Sequence, residues 1–517
     1  METDNLYINN ALDWLKRAVD SLVSHKRTDE GTGFVRSSKQ IIPEQKEGIF
    51  YTATFQAYSA LLESAETYKA EAFGLKEMTL ELTHIFTPDI FAKKDQYSTN
   101  NGSRSIILLE QILKVMVYLQ KYKHTIGEDI INAAKEAIDI ETAKTDILSN
   151  NANDEYYYPE AGRSPWFLLS LLNCQKYIET IYGDANGIIK IPSVDTLIDS
   201  HINYHMARYN VKELSFDPIS LVIALCCKIT RDPGFKTSPF CISCLEAIVK
   251  LQHNDGCWPT GATISFDDSG DVIQQASIQI ASQLAEAIID YKFLVDCNDN
   301  VEQVLDIIIP SFRKLFNYIT ATFEKLDNPC VYGWSSDRIK LKGYTETWIT
   351  AYTCRFLYKY WLAEKAYARI KALRLGVTNY VYDEQNTIKE IKRWNDEIIE
   401  PDHILKPKET IDGIIRPIIG NKEKGCLLLS PQKDNISFII CGPPGSGKTY
   451  IVKQMAKALG WPLVELSPSH FIKKGLDFIE STSREIFNDL YNLHHAVVFF
   501  DECDELFRNR SESGETT

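Results

Sequence analysis

Two stretches near the end of the chain carry residue types that belong together chemically. NISFIICGPPGSGKTYIVKQMAKAL begins with an apolar run, passes through a loop of Gly442, Pro443, Pro444, Gly445, Ser446 and Gly447, and enters a helical pattern at Lys448, Thr449 and Tyr450. HAVVFFDECDE is a second apolar run, ending on Asp501 and Glu502. The loop satisfies G-x-x-x-x-G-K-[ST] in a strand-loop-helix setting. Glycines 442, 445 and 447 let backbone N–H groups turn inward on phosphates, and the helix N-terminus adds its partial positive charge. Lys448 would reach the outer phosphates, and Thr449 would offer its hydroxyl to magnesium (Mg2+). In phosphate-hydrolysing sites built this way, the first acid after the second strand holds the metal and the next orients and deprotonates the attacking water. Thr449 and Asp501 are therefore the expected metal residues, and Glu502 and Lys448 the expected catalytic ones. Alone, Asp501 and Glu502 would be an ordinary solvated strand end; the glycine loop at this spacing gives them a purpose.

These residues carry a family resemblance. GPPGSGKT, followed by an aliphatic strand ending D-E-x-D-E-L-F, resembles the AAA+ ATPases, in the group that includes proteasomal, membrane-protease and meiotic-clamp remodellers. The resemblance covers about residues 403–517, and LVELSPSHFIKKGLDFIESTSREIF parallels the family's second strand, pore loop and second helix. It implies an α/β P-loop fold, ATP with Mg2+ as cofactors, ATP hydrolysis, assembly of like chains into a hexamer, and remodelling of a protein partner. One departure lies at the pore: the family's aromatic grip would fall near Gly475, Leu476 and Asp477, with Phe471 or Phe478 as the nearest substitutes. A one-step conformational switch needs no such grip. The family's polar sensor, arginine fingers and helical lid have no counterpart within 403–517, so this segment reads as the N-terminal portion of the module and Thr517 as a cut. The family's fourth strand would lie between the strands carrying the loop and the acids, leaving both with an unpaired edge here.

The rest of the chain must position this segment and give it something to act on. At 517 residues, with 44% apolar and 24% charged residues, the composition is that of an ordinary globular protein. The start, METDNLYINNALDWLKRAV, goes directly into a helical pattern, and no apolar run is long enough to span a bilayer. Twelve cysteines, several in apolar stretches such as ALCCKI, read as reduced thiols, and the expected location is cytoplasmic. Net charge is -14. Residues from 403 onward hold 14 Lys and Arg against 15 Asp and Glu, which leaves 42 against 55 upstream. An acidic surface does not track phosphates, so nucleic acid is disfavoured as a partner and a protein partner is expected.

Apolar helical stretches recur at a nearly fixed interval, beginning near residues 51, 105, 165, 217, 273 and 347. Each is apolar around most of its circumference, which predicts burial. Amphipathic stretches alternate with them, among them ALDWLKRAVDSLV, SCLEAIVKLQ and VLDIIIPSFRKLFNYITATF. About six outer-inner hairpins over residues 1–365 predict an all-α alpha/alpha toroid. From Glu364 the pattern becomes charged, and residues 366–402 read as a helical connector to the segment 403–517.

Loops feeding the inner helices repeat an acid-glycine-aromatic signature in DEGTGF, QHNDGCWP and YGWSSD. Gln252, Asp255, Gly256 and Trp258 resemble the Q-x-x-D-G-x-W repeat of terpene cyclases, whose toroid is shared with protein prenyltransferases and lanthionine cyclases. Chemistry inside the toroid has weaker signals. Asp267, Asp268 and Asp271 form a literal D-D-x-x-D, but Ser269 and Gly270 favour a solvated turn over a diphosphate site. Cys241, Cys244, His253 and Cys257 have the residue types of a zinc site, yet Cys241 and Cys244 lie one turn apart in line with Ile248, as core residues do; Cys226 and Cys227 read the same way. Three functions follow: an ATP-driven remodeller or switch whose toroid recognises a partner, a nucleotide-binding sensor or scaffold without turnover, and a terpene-cyclase-like enzyme fused to an ATPase.

Overall fold

The computed structural model describes residues 2–27, 33–34, 37–39, 51–64, 81–82, 103–121, 126–137, 165–182, 194–211, 218–259, 265–266, 272–273, 276–290, 293, 299–327, 330–337, 343–373, 377–378, 439–440, 445, 448–459, 461–491, 493 and 496–502. Asp267, Asp268 and Asp271, and the loop residues Gly442, Pro443, Pro444, Ser446 and Gly447, lie outside the described residues. The chain divides into two compact units. One comprises Asn9–Asp290 with Gln303–Ala363, the other Met1–Ile8, Tyr291–Glu302 and Glu364–Thr517.

The first unit is helical. Its helices are α1 (Glu2–Ser24), α2 (Tyr51–Ser64), α3 (Ser103–Lys121), α4 (Pro165–Tyr182), α5 (Val194–Asn210), α6 (Pro218–Arg231), α7 (Pro239–Lys250), α8 (Ser277–Ile288), α9 (Asp299–Ala321) and α10 (Thr347–Leu373). Five stretches read as all-round apolar are α2, α3, α4, α6 and α10, and residues 53–64 of α2 are buried without interruption. Successive members pack on one another: α2 on α3, α3 on α4, α4 on α6 and α6 on α8. The amphipathic α9 buries Val304, Leu305, Ile308, Phe312, Leu315 and Ile319, and exposes positions 303, 306, 310, 314 and 317. That is the one-sided stripe its sequence predicts.

The fifth apolar stretch behaves differently from its reading as one helix from 273. Short strands β1 (Lys26–Arg27), β2 (Gly33–Phe34), β3 (Ser37–Lys39), β4 (Ser265–Phe266) and β5 (Val272–Ile273) precede α8, and β4 pairs antiparallel with β5. The helix starts only at Ser277, whose N–H and Oγ donate to the Asp337 carboxylate at 3.0 and 2.8 Å. A carboxylate there satisfies first-turn donors and complements the helix dipole.

The acid-glycine-aromatic loops brace neighbouring helices. Gln252 Nε2 donates to the carbonyls of Gly256 (2.8 Å) and Ser311 (3.1 Å). Asp255 Oδ1 accepts from the Cys257 N–H at 2.9 Å. Gly256 sits at φ 93, and a Cβ there would stand 2.5 Å from the Lys314 carbonyl oxygen. Only glycine fits that turn against α9. The buried Trp258 donates its indole N–H to Ile248 O at 3.0 Å, and Trp334 does the same to Ile319 O at 2.8 Å. Trp334 follows a hairpin of β6 (Glu324–Asp327) and β7 (Cys330–Gly333), and β8 (Tyr344–Glu346) pairs with β3. Each tryptophan thus caps a carbonyl of the preceding helix while filling the gap beside it.

Cys241 and Cys244 are core residues of α7, and burial pushes both thiols up to about 12. His253 faces solvent, and among the described residues no three His, Cys, Asp or Glu side chains are placed to share a metal ion. No helix among them is long and apolar enough to cross a membrane.

The second unit contains an α/β segment: β9 (Val377–Thr378), α11 (Lys448–Leu459), β10 (Leu463–Leu466), α12 (Ile479–Tyr491) and β11 (Val497–Phe500). β10 runs parallel to β11, pairing Leu463 with Val497 through Leu466 with Phe500. Period-2 alternation divides the apolar residues between two faces. Val464 and Leu466 pack with Phe471, Ile486, Val498 and Phe500, while Leu463 packs with Val452, Ala456, Ile440, Val497 and Phe499. With helices over both faces, near-continuous apolar runs such as VVFF are what parallel strands require. The start of the charged stretch read as leading into a connector is part of a buried helix. Residues 364–373 continue α10 with Glu364 and Arg369 buried, and β9 then pairs antiparallel with β10, placing Val377 against Val464. Residues 379–438 lie outside the described residues.

Candidate nucleotide site

The C-terminal ends of β10 and β11 and the N-terminus of α11 come together. Parallel strands leave their carboxyl ends open to ligands at such a place. Asp501 follows β11 directly, and its N–H donates to the Leu466 carbonyl at 2.8 Å, which ties the acid to the end of β10. Thr449, in the first turn of α11, donates from Oγ1 to Asp501 Oδ2 at 3.4 Å. A hydroxyl and a carboxylate separated by the whole of α11, β10 and α12 in sequence are therefore neighbours in space.

Gly445 takes φ 80, and a Cβ at that position would meet nothing within 4 Å. Glycine is needed there for the backbone angle, since space is open. Glu502 is exposed at φ 52, the one non-glycine residue with positive φ among the described residues. A carboxylate residue held in the left-handed region costs roughly 1–2 kcal/mol, and such strain gathers at functional sites. Lys448 and Asp501 are half-buried, and Tyr450 is exposed. The hydroxyl, the lysine at the helix start and the carboxylate are a donor set suited to a phosphate with a hard divalent cation.

Beyond β10, Ser467 N donates to His470 Nδ1 at 3.1 Å and closes a single helical turn, Pro468–Phe471. The segment that follows exposes Ile472, Leu476 and Phe478 around Gly475 at φ 103. Phe471 is buried against Phe487 and the sheet, which removes it as a substitute for a missing pore aromatic; Phe478 is exposed. Reading along the sequence missed the edge strand β9 and the conformation of Glu502, neither of which has a local residue signature.

Comparison with known proteins agrees with this geometry. Residues 438–517 match the profile of the "ATPase family associated with various cellular activities (AAA)". The chain is 34% identical over 121 residues to the outer mitochondrial transmembrane helix translocase of Danio rerio, covering 23% of this chain and 32% of that protein. It is 36% identical over 86 residues to the human protein of the same description, covering 17% and 23%. It is 31% identical over 102 residues to the mitochondrial sorting homolog of Caenorhabditis elegans, covering 20% and 29%. The chain thus spans a third or less of the length of these relatives. No solved structure matches the chain. The glycine loop, the Thr449–Asp501 pair at the strand ends and the family match together make residues 438–517 an AAA-family ATPase segment, preceded by a mostly helical region.

Proposed function

We propose that this protein binds and hydrolyses ATP with Mg2+ at residues 442–450, 501 and 502, and uses the cycle to switch or remodel a protein partner. The observation that carries the reading is Thr449 Oγ1 at 3.4 Å from Asp501 Oδ2, beside the start of α11. Gly442, Pro443, Pro444, Gly445, Ser446, Gly447 and Tyr450 would line the phosphates, Lys448 would hold the outer ones, and Thr449 and Asp501 would hold the metal. Bound Mg-nucleotide supplies the electrophilic phosphoryl group and neutralises its charge. Glu502, exposed at the strand end, would accept the proton of the attacking water.

The helical region would recognise the partner. The order α2, α3, α4, α6, α8, each packed on the next, supports an alpha/alpha toroid, and Arg355 of α10 donates to Ser59 of α2 and Gln111 of α3, as ring closure requires. Two relatives are described as translocases of transmembrane helices. Their similarity to this chain is confined to a minority of it, which fits a shared ATPase with a different recognition domain. A hexamer is the assembly this family implies, in the cytoplasm, where buried free thiols such as Cys174 and Cys227 persist. Leu476 and Asp477, where the family has its grip, favour a switch over processive threading.

The test is ATP binding and turnover in Glu502→Gln and Lys448→Ala. Glu502→Gln should keep nucleotide affinity and lower turnover by roughly 10²–10⁴-fold, and Lys448→Ala should lose affinity. Unchanged turnover in Glu502→Gln removes Glu502 as the base; unchanged affinity in Lys448→Ala removes the phosphate site.

A further inference from the structure

The apolar helices of the first unit hide a set of charges that the nucleotide site does not use. α2 carries Gln56, Ser59 and Glu63, and α10 carries Tyr352, Arg355 and Lys359, both at i, i+3 and i+7. That spacing puts each row on one helix face. The rows meet those of α3 and α8. Arg355 donates to Ser59 Oγ and Gln111 Oε1. Lys114 pairs with Glu286 and stands 3.3 Å from Glu63 Oε2, while Lys359 Nζ stands 3.4 Å from Glu63 Oε1. Beside them Glu110 accepts from Ser170 Oγ at 2.6 Å and Asn173 Nδ2 at 2.8 Å.

Burying an ion costs several kcal/mol, and well-packed apolar side chains would stabilise the same space at least as well. Two features set this cluster apart from a closed structural network. It is unsaturated: Arg355 is 3% exposed yet its Nε has no partner among the described residues, and neither has Oε1 of Gln56, 5% exposed. Leaving a buried polar atom unmet costs about 1–3 kcal/mol. It is also open: Glu286 keeps 32% of its side-chain surface accessible and Lys359 keeps 15%, although Lys114 and Glu63 lie against them. An accessible carboxylate and an accessible ammonium stand next to an unmet guanidinium N–H.

The charges select what would complete them. Lys114 and Lys359 pair with Glu63 and Glu286, whereas Arg355 donates to the neutral Ser59 and Gln111. Its unmet Nε–H is a cationic donor that a ligand carboxylate would take. The accessible Glu286 and the Gln56 carbonyl are acceptors for a ligand ammonium. An isoprenoid chain would desolvate these groups and return nothing. We propose that the face shared by α2, α3, α8 and α10 binds a small zwitterion of the free amino-acid class, its carboxylate on Arg355 and Lys359 and its ammonium on Glu286.

The experiment presents the full chain with each of the twenty free L-amino acids, using thermal shift followed by titration calorimetry, with farnesyl diphosphate and inorganic phosphate as comparators. At least one amino acid should raise Tm and titrate with a measurable heat. Glu286→Gln and Lys359→Gln, with circular dichroism unchanged, should each weaken it by about tenfold or more, the worth of one charge-assisted hydrogen bond. No response to any amino acid overturns the proposal. So does an equal response to farnesyl diphosphate, which marks an isoprenoid site, or to phosphate, which marks simple anion binding. Undiminished affinity in both folded variants overturns it as well.

Discussion

The molecule keeps charge in two places and treats it in opposite ways. In the helical unit Glu63, Lys114 and Arg355 are almost wholly buried, and each is answered by side chains from other helices. In the ATPase segment Lys448 and Asp501 are half-buried and Glu502 is exposed, and Asp501 is met by the Thr449 hydroxyl and the Leu466 carbonyl from neighbouring elements. A buried charge must be compensated by the protein itself, or its desolvation cost is left standing. A half-buried charge at a strand end or helix start keeps part of its hydration and remains reachable by a ligand. The first arrangement should show in stability, the second in binding and turnover.

The sharpest way to break this contrast is one cation from each region. Arg355→Met leaves Glu63 and Glu286 with one cation fewer, and should cost roughly 3–5 kcal/mol of stability, read as a drop in Tm. Lys448→Ala should move the same Tm by no more than about 0.5 kcal/mol equivalent, as surface changes do. Equal drops would mean that the helical charges are not the buried network described.

Two glycines sharpen the contrast at intermediate size. Gly256 and Gly445 both have positive φ, but a Cβ at Gly256 meets the Lys314 carbonyl at 2.5 Å and one at Gly445 meets nothing. Gly256→Ala should therefore destabilise by about 2–4 kcal/mol, combining strain and clash, and Gly445→Ala by about 1 kcal/mol. Chemical denaturation followed by fluorescence of the buried Trp258 and Trp334 measures both.

The smallest effect is one proton. Burial raises the Glu110 carboxyl above its ordinary 4.5, so above that pH the unfolded chain has released a proton that the folded chain still holds. Stability contributed by this group is present in full below 4.5 and falls as pH rises towards the folded-state value. The slope for one proton is at most about 1.4 kcal/mol per pH unit. Glu110→Gln should flatten the corresponding part of the stability-pH profile; a slope unchanged in that variant assigns it to another group.

Several elements could be read directly from the chain. The helix at Lys448, the strand VVFF and the inner helices starting near 51, 165 and 347 lie where periodicity and the glycine loop put them, and the strand LVEL where the family resemblance put it. Other elements could not. The apolar run at Val272–Ile273 reads as helix, yet pairs with Ser265–Phe266 because Asp337, far along the chain, caps a helix at Ser277. The charged stretch after Ala363 reads as a helical connector, and its charges do not show that Glu364 and Arg369 are buried or that Val377 pairs with Val464.

What the sequence by itself determined is the local chemistry: a glycine loop before Lys448, an acid pair after an aliphatic strand, and helices whose apolar faces announce burial. These depend on backbone conformation and periodicity within a dozen or so residues, which neighbours along the chain dictate. Only the tertiary structure decided that Thr449 meets Asp501, that Arg355 meets Ser59 and Gln111, and that Lys114 brings Glu63 and Glu286 together inside apolar helices. A polar residue in an apolar helix looks the same in sequence whether it is paired, exposed or waiting for a ligand. Which of these holds is set by what the other helices bring to the same point.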